Sequence, residues 1–266
     1  MNDYHMHSHF CRHAVGRVAD YARAACRKGI SEICVTPHIP LPGFRPGFSG
    51  DKLRMDEKEF DAYLHELEEA RAAFPQLTIL SGVEADYLPD REEWLARFLS
   101  RAELDFVLMS IHFVSAWGED EWAFDFARHR SLPSAYGDYF RQMRQGIQTG
   151  LFDCVAHLDL VKKPGRPVLA TNRDDVERVL AACVSAGMSV EINTSGTRKE
   201  IGETYPCDEI ITLLMERSVD IVASSDAHAP DQVGLYFNDL ADRHGEKLLN
   251  RMVCYRGRRV ASAGKC

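Results

Sequence analysis

Short apolar runs alternate with amphipathic stretches along the whole chain, the pattern of strand and helix units repeated around a parallel sheet. The runs predict strands near residues 3–7, 32–36, 77–83, 106–111, 154–157, 189–193 and 220–224. Between them, helical periodicity covers about 18–28, 57–73, 91–100, 134–149, 172–186, 208–216 and 231–244. Gly29, Gly150 and Gly187 follow the ends of helical runs, where a left-handed cap is wanted, and Pro133 stands where a helix begins. Seven strand and helix units predict an α/β barrel, and 266 residues suit one such barrel as a single domain spanning 1–266. Two connections are longer than the rest. Residues 37–55 are rich in Pro and Gly and 113–132 are aromatic and acidic, which marks both as active-site loops over a barrel mouth.

Composition narrows the function. Hydrophobic residues at 45% and charged residues at 27% are those of a globular protein with a large core. A net charge of -8 argues against a sequence-independent hold on nucleic acid, which draws its affinity from Lys and Arg on phosphates. A small substrate is expected instead. No apolar run approaches the roughly 18 residues of a membrane span, so the expected setting is cytoplasmic, with no membrane partner. Cys11, Cys26, Cys34, Cys154, Cys183, Cys207, Cys254 and Cys266 form no CxxC pair, which fits reduced thiols. Cys26, Cys34, Cys154 and Cys183 lie in apolar stretches and read as small core residues. Oligomeric state leaves no trace in the sequence.

The chemistry lies at the strand ends. His5 and His7, two apart on a strand, project from one face and can grip one ion. A His-x-His pair alone is common. Here, however, His38 follows the second strand, Glu84 the third, His112 the fourth and His157 the fifth, and Asp226 with His228 follows the seventh. In a parallel barrel the carboxyl ends of all strands open on one face, so these residues converge on one mouth. His13 lies just past the first strand, where the chain can fold back over that mouth. His9, His65, His129 and His244 lack such positions and read as ordinary.

These residues resemble the PHP (polymerase and histidinol phosphatase) phosphoesterases, and within them the bacterial histidinol-phosphate phosphatases. The likeness runs over essentially the whole chain: Asp3-Tyr4-His5-Met6-His7, Cys11-Arg12-His13-Ala14, Thr36-Pro37-His38, Gly82-Val83-Glu84-Ala85-Asp86, Ser110-Ile111-His112-Phe113, Ala156-His157-Leu158-Asp159-Leu160, the run from Glu191 to Lys199, and Ser225-Asp226-Ala227-His228. The resemblance implies a distorted (β/α)7 barrel with three ions. His5, His7, Glu84 and Asp226 would hold the first, Glu84, His112 and His157 the second, and His13, His38 and His228 the third, with Glu84 bridging. Two positions depart from the pattern. Pro37 stands where relatives often carry Asp, and His13 where several carry Asp.

A thiolate-free set of nitrogen and oxygen donors suits two or three divalent ions of zinc, iron or manganese. No side chain of the pattern is an activated nucleophile, so the expected reaction is direct hydrolysis of a phosphate monoester by a metal-bridging hydroxide. The expected partner is a small phosphorylated metabolite, L-histidinol phosphate first, with nucleotides or other small esters as the alternative. Arg198 is the expected guanidinium on the phosphate, with Lys162 and Lys163 behind it. Asp159 is expected to receive a substrate ammonium or to support His157. Phe44, Phe48, Phe113 and Trp117 either face a substrate ring or anchor the long loops. A noncatalytic module of a DNA polymerase and a zinc-stabilised structural protein are the rival readings, disfavoured by the acidic charge and by the open, many-ligand set.

Overall fold

The computed structural model describes residues 1–41, 49–118, 121–125, 131–163, 165 and 167–263. Six parallel strands, β1 (Glu32–Val35), β2 (Thr78–Asp86), β3 (Phe106–Ser110), β4 (Cys154–Val155), β5 (Ser189–Asn193) and β6 (Ile221–Ser224), form one sheet in that order. The helices are α1 (Val18–Arg27), α2 (Phe60–Ala73), α3 (Glu92–Leu99), α4 (Leu132–Gln148), α5 (Leu169–Ala186), α6 (Asp208–Glu216) and α7 (Phe237–Leu249). No helix among the described residues is long and apolar enough to cross a membrane.

The expected first strand is present only as isolated parallel bridges, Asp3 with Ile33 and Met6 with Ala227. Those bridges close the barrel. Cys34 N donates to Asp3 O at 2.8 Å and Thr36 N to Met6 O at 2.8 Å on one side, while Tyr4 N donates to Ala223 O at 3.2 Å and His7 N to Ala227 O at 2.8 Å on the other. The segment 3–7 thus joins the two edges of the sheet, and the ring has seven staves.

Alternation along the strands divides the core into two layers. Ile33, Val35, Val83, Val107, Met109, Val190, Ile192 and Ile221 pack outward with the helices. Cys34, Leu80, Phe106, Leu108, Cys154, Ala156 and Val222 point into the ring with Tyr4. Two residues further along the same inner faces stand Ser110 and Ser224, and four further stands Glu84, so the apolar plug becomes a polar floor toward the carboxyl ends. The opposite end is sealed by an antiparallel hairpin that the periodicity does not announce, β7 (Val253–Arg256) and β8 (Arg259–Ala263). Its Val253 and Tyr255 enter the inner cluster, and Arg258 binds Asp153 through two nitrogens at 3.0 Å.

Other departures are local. The fourth expected helix starts earlier, at Leu132, and the last is displaced to Phe237–Leu249, because residues 230–236 form a short 3-10 turn and then bring Gly234 N to Asp3 Oδ2 at 2.8 Å. β4 is only two residues long because His157 turns into the left-handed region at φ 25°. Among the described residues six cysteines are free, but Cys254 is disulfide-bonded, against the expectation of reduced thiols throughout. Pairing depends on proximity in space, which spacing along the chain does not report.

Candidate metal centre

The strand ends bring nine side chains to one cavity of about 260 Å³. His7, His13, His38, Glu84, His112, His157, Asp226 and His228 line it, and His5 lies buried at its base, 3.0 Å from His7 through the two Nε2 atoms. Glu84 stands at the centre, 1% exposed. Its Oε2 is 3.1 Å from His5 Nε2, 3.3 Å from His7 Nε2 and 3.0 Å from His38 Nδ1. Its Oε1 is 3.1 Å from His157 Nε2 and 3.7 Å from His112 Nε2. Asp226 Oδ1 completes the first group, 3.2 Å from His7 Nε2 and 3.8 Å from His5 Nε2.

This geometry fits a metal. Donors about 2.0–2.1 Å from one ion in a tetrahedral array stand roughly 3.3 Å from each other; the His5, His7 and Glu84 atoms lie 3.0–3.3 Å apart, with Asp226 3.2 Å from His7 and 3.8 Å from His5. His38 Nδ1 lies close to Glu84 yet is not aligned for a hydrogen bond, as expected where both face a common third atom. On the far side, His13 and His228 meet at 2.9 Å through their Nε2 atoms. Here the structure differs from the implied partition, because His38 leans on Glu84 and groups with His112, while His228 groups with His7 and Asp226.

Three carboxylates, those of Glu84, Asp226 and Glu191, are buried together, an arrangement that demands positive charge in return. Burial disfavours the anion of Glu84, but His38 and His5 outweigh it and hold the carboxyl well below its ordinary value. Asp226 is likewise held low against burial by His5 and His7. Burial also opposes a proton on His5, yet Glu191, Glu84 and Asp226 lift that imidazole well above its ordinary value. His7 goes the other way, lowered by burial and by His228 and His38. Protons share a compensating role that a cation of higher charge can take over.

Second contacts hold the ring in place. Glu191 Oε1 is 2.6 Å from His5 Nδ1. Asp86 Oδ1 accepts His112 N at 2.8 Å and faces its Nδ1 at 3.1 Å, and the Arg54 guanidinium closes on Asp86 Oδ2. Before His38, Pro37 offers its carbonyl to Glu84 N at 3.1 Å, and Cys11 Sγ accepts His38 N at 3.1 Å.

Three expected substrate contacts fall elsewhere. Arg198 donates to Ser225 O at 2.9 Å, Asp226 O at 2.7 Å and Gln232 Oε1 at 3.2 Å, so its guanidinium is committed to the strand end that carries Asp226. Lys162 is buried and saturated by Asp159 Oδ2 at 2.9 Å, Glu203 Oε1 at 2.9 Å and Thr204 O at 2.8 Å. Asp159 is fully buried, held by Lys162 and by Cys207 N at 3.0 Å, and supports the 203–207 loop rather than His157. Among the described residues, the cations that line the cavity are Lys163, Lys199 and Arg54. Lys163 Nζ lies 3.8 Å over the Phe124 ring, and Lys199 Nζ is 3.2 Å from Ser195 Oγ and 4.0 Å from Asp226 Oδ2. Trp122 and Phe124 form the aromatic wall. Phe113 and Trp117 anchor the loop instead, buried, with Trp117 Nε1 donating to Asp138 Oδ2 at 3.1 Å; Phe44, Phe48 and His129 lie outside the described residues.

A PHP domain model matches residues 3–195. The chain is 33% identical over 265 residues to a Deinococcus radiodurans protein named "Probable histidinol-phosphatase", with 97% of each covered. It is 27% identical over 267 residues to the histidinol-phosphatase of Bacillus subtilis, covering 91% of this chain and 98% of the relative. Among solved structures, the histidinol phosphate phosphatase of Lactococcus lactis, described as complexed with zinc, L-histidinol and phosphate, aligns at a TM-score of 0.82 with 20% identity over 98% of both chains, a likeness of fold.

Proposed function

The chain belongs to the PHP domain family, and from that premise we propose that it is a metal-dependent phosphomonoesterase that hydrolyses L-histidinol phosphate to L-histidinol and phosphate. The observation that carries the reading is the central place of Glu84, whose two oxygens face separate groups of imidazoles. His5, His7, Glu84 and Asp226 would hold one ion, Glu84, His112 and His157, with His38 joining from the Glu84 side, a second, and His13 with His228 a third. Bound there, two or three ions of zinc, iron or manganese supply Lewis acidity and water activated near neutral pH. The relatives' names supply the substrate.

The chain's own residues do the rest. Lys163 and Lys199 receive the phosphate, since their ammonium groups flank the centre without being saturated by buried acids as Lys162 is. Trp122 and Phe124 give the imidazole of the leaving group an apolar face and exclude water from one side of the cavity. Residues 1–266 act in this reading as one domain, because the 253–263 hairpin fills the base of the same ring. The test is a screen of phosphorylated metabolites with purified, metal-loaded protein. Histidinol phosphate is expected to give the highest kcat/KM, and a nucleotide or another ester in first place overturns the substrate assignment.

A further inference from the structure

Glu191 is fully buried on the inner face of β5 and touches two of the ring's members from below. Its Oε1 lies 2.6 Å from His5 Nδ1 and also receives Ser224 Oγ. Its Oε2 accepts the backbone N–H of His157 at 2.6 Å and Asn193 Nδ2 at 3.2 Å. His5 Nε2 faces Glu84 and His7, so for that nitrogen to offer a lone pair to a metal the ring proton must sit on Nδ1, against Glu191. His157 holds a left-handed backbone at φ 25°, costly for a residue with a side chain, and the short bond from its amide keeps it there. All four neighbours of Glu191 are therefore donors.

We propose that Glu191 is the positioning residue that couples the two sides of the metal centre, fixing the tautomer of His5 and the backbone of His157 together. The inference rests on the metal-dependent reading above. Glu84 divides its oxygens in the same way, Oε2 toward His5 and Oε1 toward His157. The two groups are tied twice, once by Glu84 in the cavity and once by Glu191 beneath it. Only a carboxylate serves, because it presents two acceptor oxygens. The amide of glutamine presents one, so whichever way it turns, an NH2 group opposes either His5 Nδ1–H with Ser224 Oγ or the His157 amide with Asn193 Nδ2.

The experiment is a titration of chelator-stripped protein with Mn(II) and with Zn(II), reading bound equivalents and affinity by calorimetry and elemental analysis. Wild type is expected to fill its first two positions in one transition. Glu191→Gln is expected to bind about 10 to 100 times more weakly, the cost commonly seen when a partner of a metal-bound histidine is lost, with the transition split into two. Ser224→Ala, which removes one bond to Glu191 and touches no proposed ligand, should shift in the same direction by less, and it decides the matter if Glu191→Gln does not fold. Wild-type affinity and a single transition in Glu191→Gln, or in Ser224→Ala where that variant decides, overturn the coupling. Wild-type protein that binds no ion overturns the proposed function itself.

Discussion

His7 Nδ1 lies 3.3 Å from the sulfur of Cys11, the same sulfur that accepts the backbone N–H of His38. With His7 Nε2 turned to Glu84 and Asp226, Cys11 occupies the place where metal-binding imidazoles usually meet a carboxylate or carbonyl. Burial pushes the thiol up to about 12, so it serves as a neutral acceptor. Cys11→Ala is expected to lower metal affinity by about tenfold or more, and Cys11→Ser to recover part of the loss. Equal metal retention by wild type and Cys11→Ala during dialysis against a chelator would remove Cys11 from this role.

Purified protein is expected to carry more than one equivalent of transition metal, and chelation to abolish activity until metal is returned. Ligand imidazoles must be unprotonated, so protons compete with the ions, first at His5, whose buried carboxylate neighbours favour its protonated form, and retention should fall as the pH is lowered. Elemental analysis after dialysis at a series of pH values checks both the count and the direction. One equivalent with full activity contradicts the multinuclear centre.

Lysine and arginine variants should separate by readout. Lys199→Ala removes a charged donor from the cavity and is expected to lower kcat/KM by about 10 to 100-fold, from ~1.5–3 kcal/mol for a charge-assisted bond, with metal content unchanged. Arg198→Ala is expected to lose metal as well, because the carbonyls of Ser225 and Asp226 lose their clamp. Normal metal content with a large loss of kcat/KM in Arg198→Ala would return that guanidinium to the phosphate.

Arg54 and Asp86 make a pH-dependent contribution to stability. Burial works against the Asp86 anion, but Arg54 and His112 outweigh it and hold its pKa below the ordinary value of about 3.8. A carboxyl depressed in the folded state stabilises fully above its unfolded pKa and loses that contribution as pH falls toward the folded one. Arg54→Met leaves the buried anion with His112 but no guanidinium and should cost about 3–5 kcal/mol near neutrality, with a smaller further loss on acidification than wild type shows. Parallel urea denaturation curves for the two proteins from pH 7 down to acid test the sign.

Much of this was legible because barrel geometry converts position along a strand into position in space. His38, Glu84, His112, His157 and Asp226 all stand just where an apolar run stops, and the fold carries each to one rim. Glu191 escaped because apolar Ile192 follows it and the run does not stop there, and because its value depends on His5 and His157 from distant strands. Arg54 escaped for a similar reason, being a loop residue whose partner is the interior Asp86. Arg198 was misplaced because its backbone position near the rim does not say where a long side chain ends, and two carbonyls within reach claimed it. The hairpin at 253–263 carries no period of its own beyond a Gly257 turn; its partners, Asp105 and Asp153, are supplied by other strands' ends.

The closure of the ring by residues 3–7 sets an order of events during biosynthesis. His5 and His7 are made well before the backbone partner that seats them both, Ala227, which lies more than 200 positions later. Contacts of such sequence separation form slowly, since a long loop must be closed before they repay it. The growing chain therefore presents two early histidines with no complete cage around them, and full coordination becomes available only as the last parallel strand docks. Capture of the ions is in this sense a report that translation has passed residue 228 and that the ring has shut.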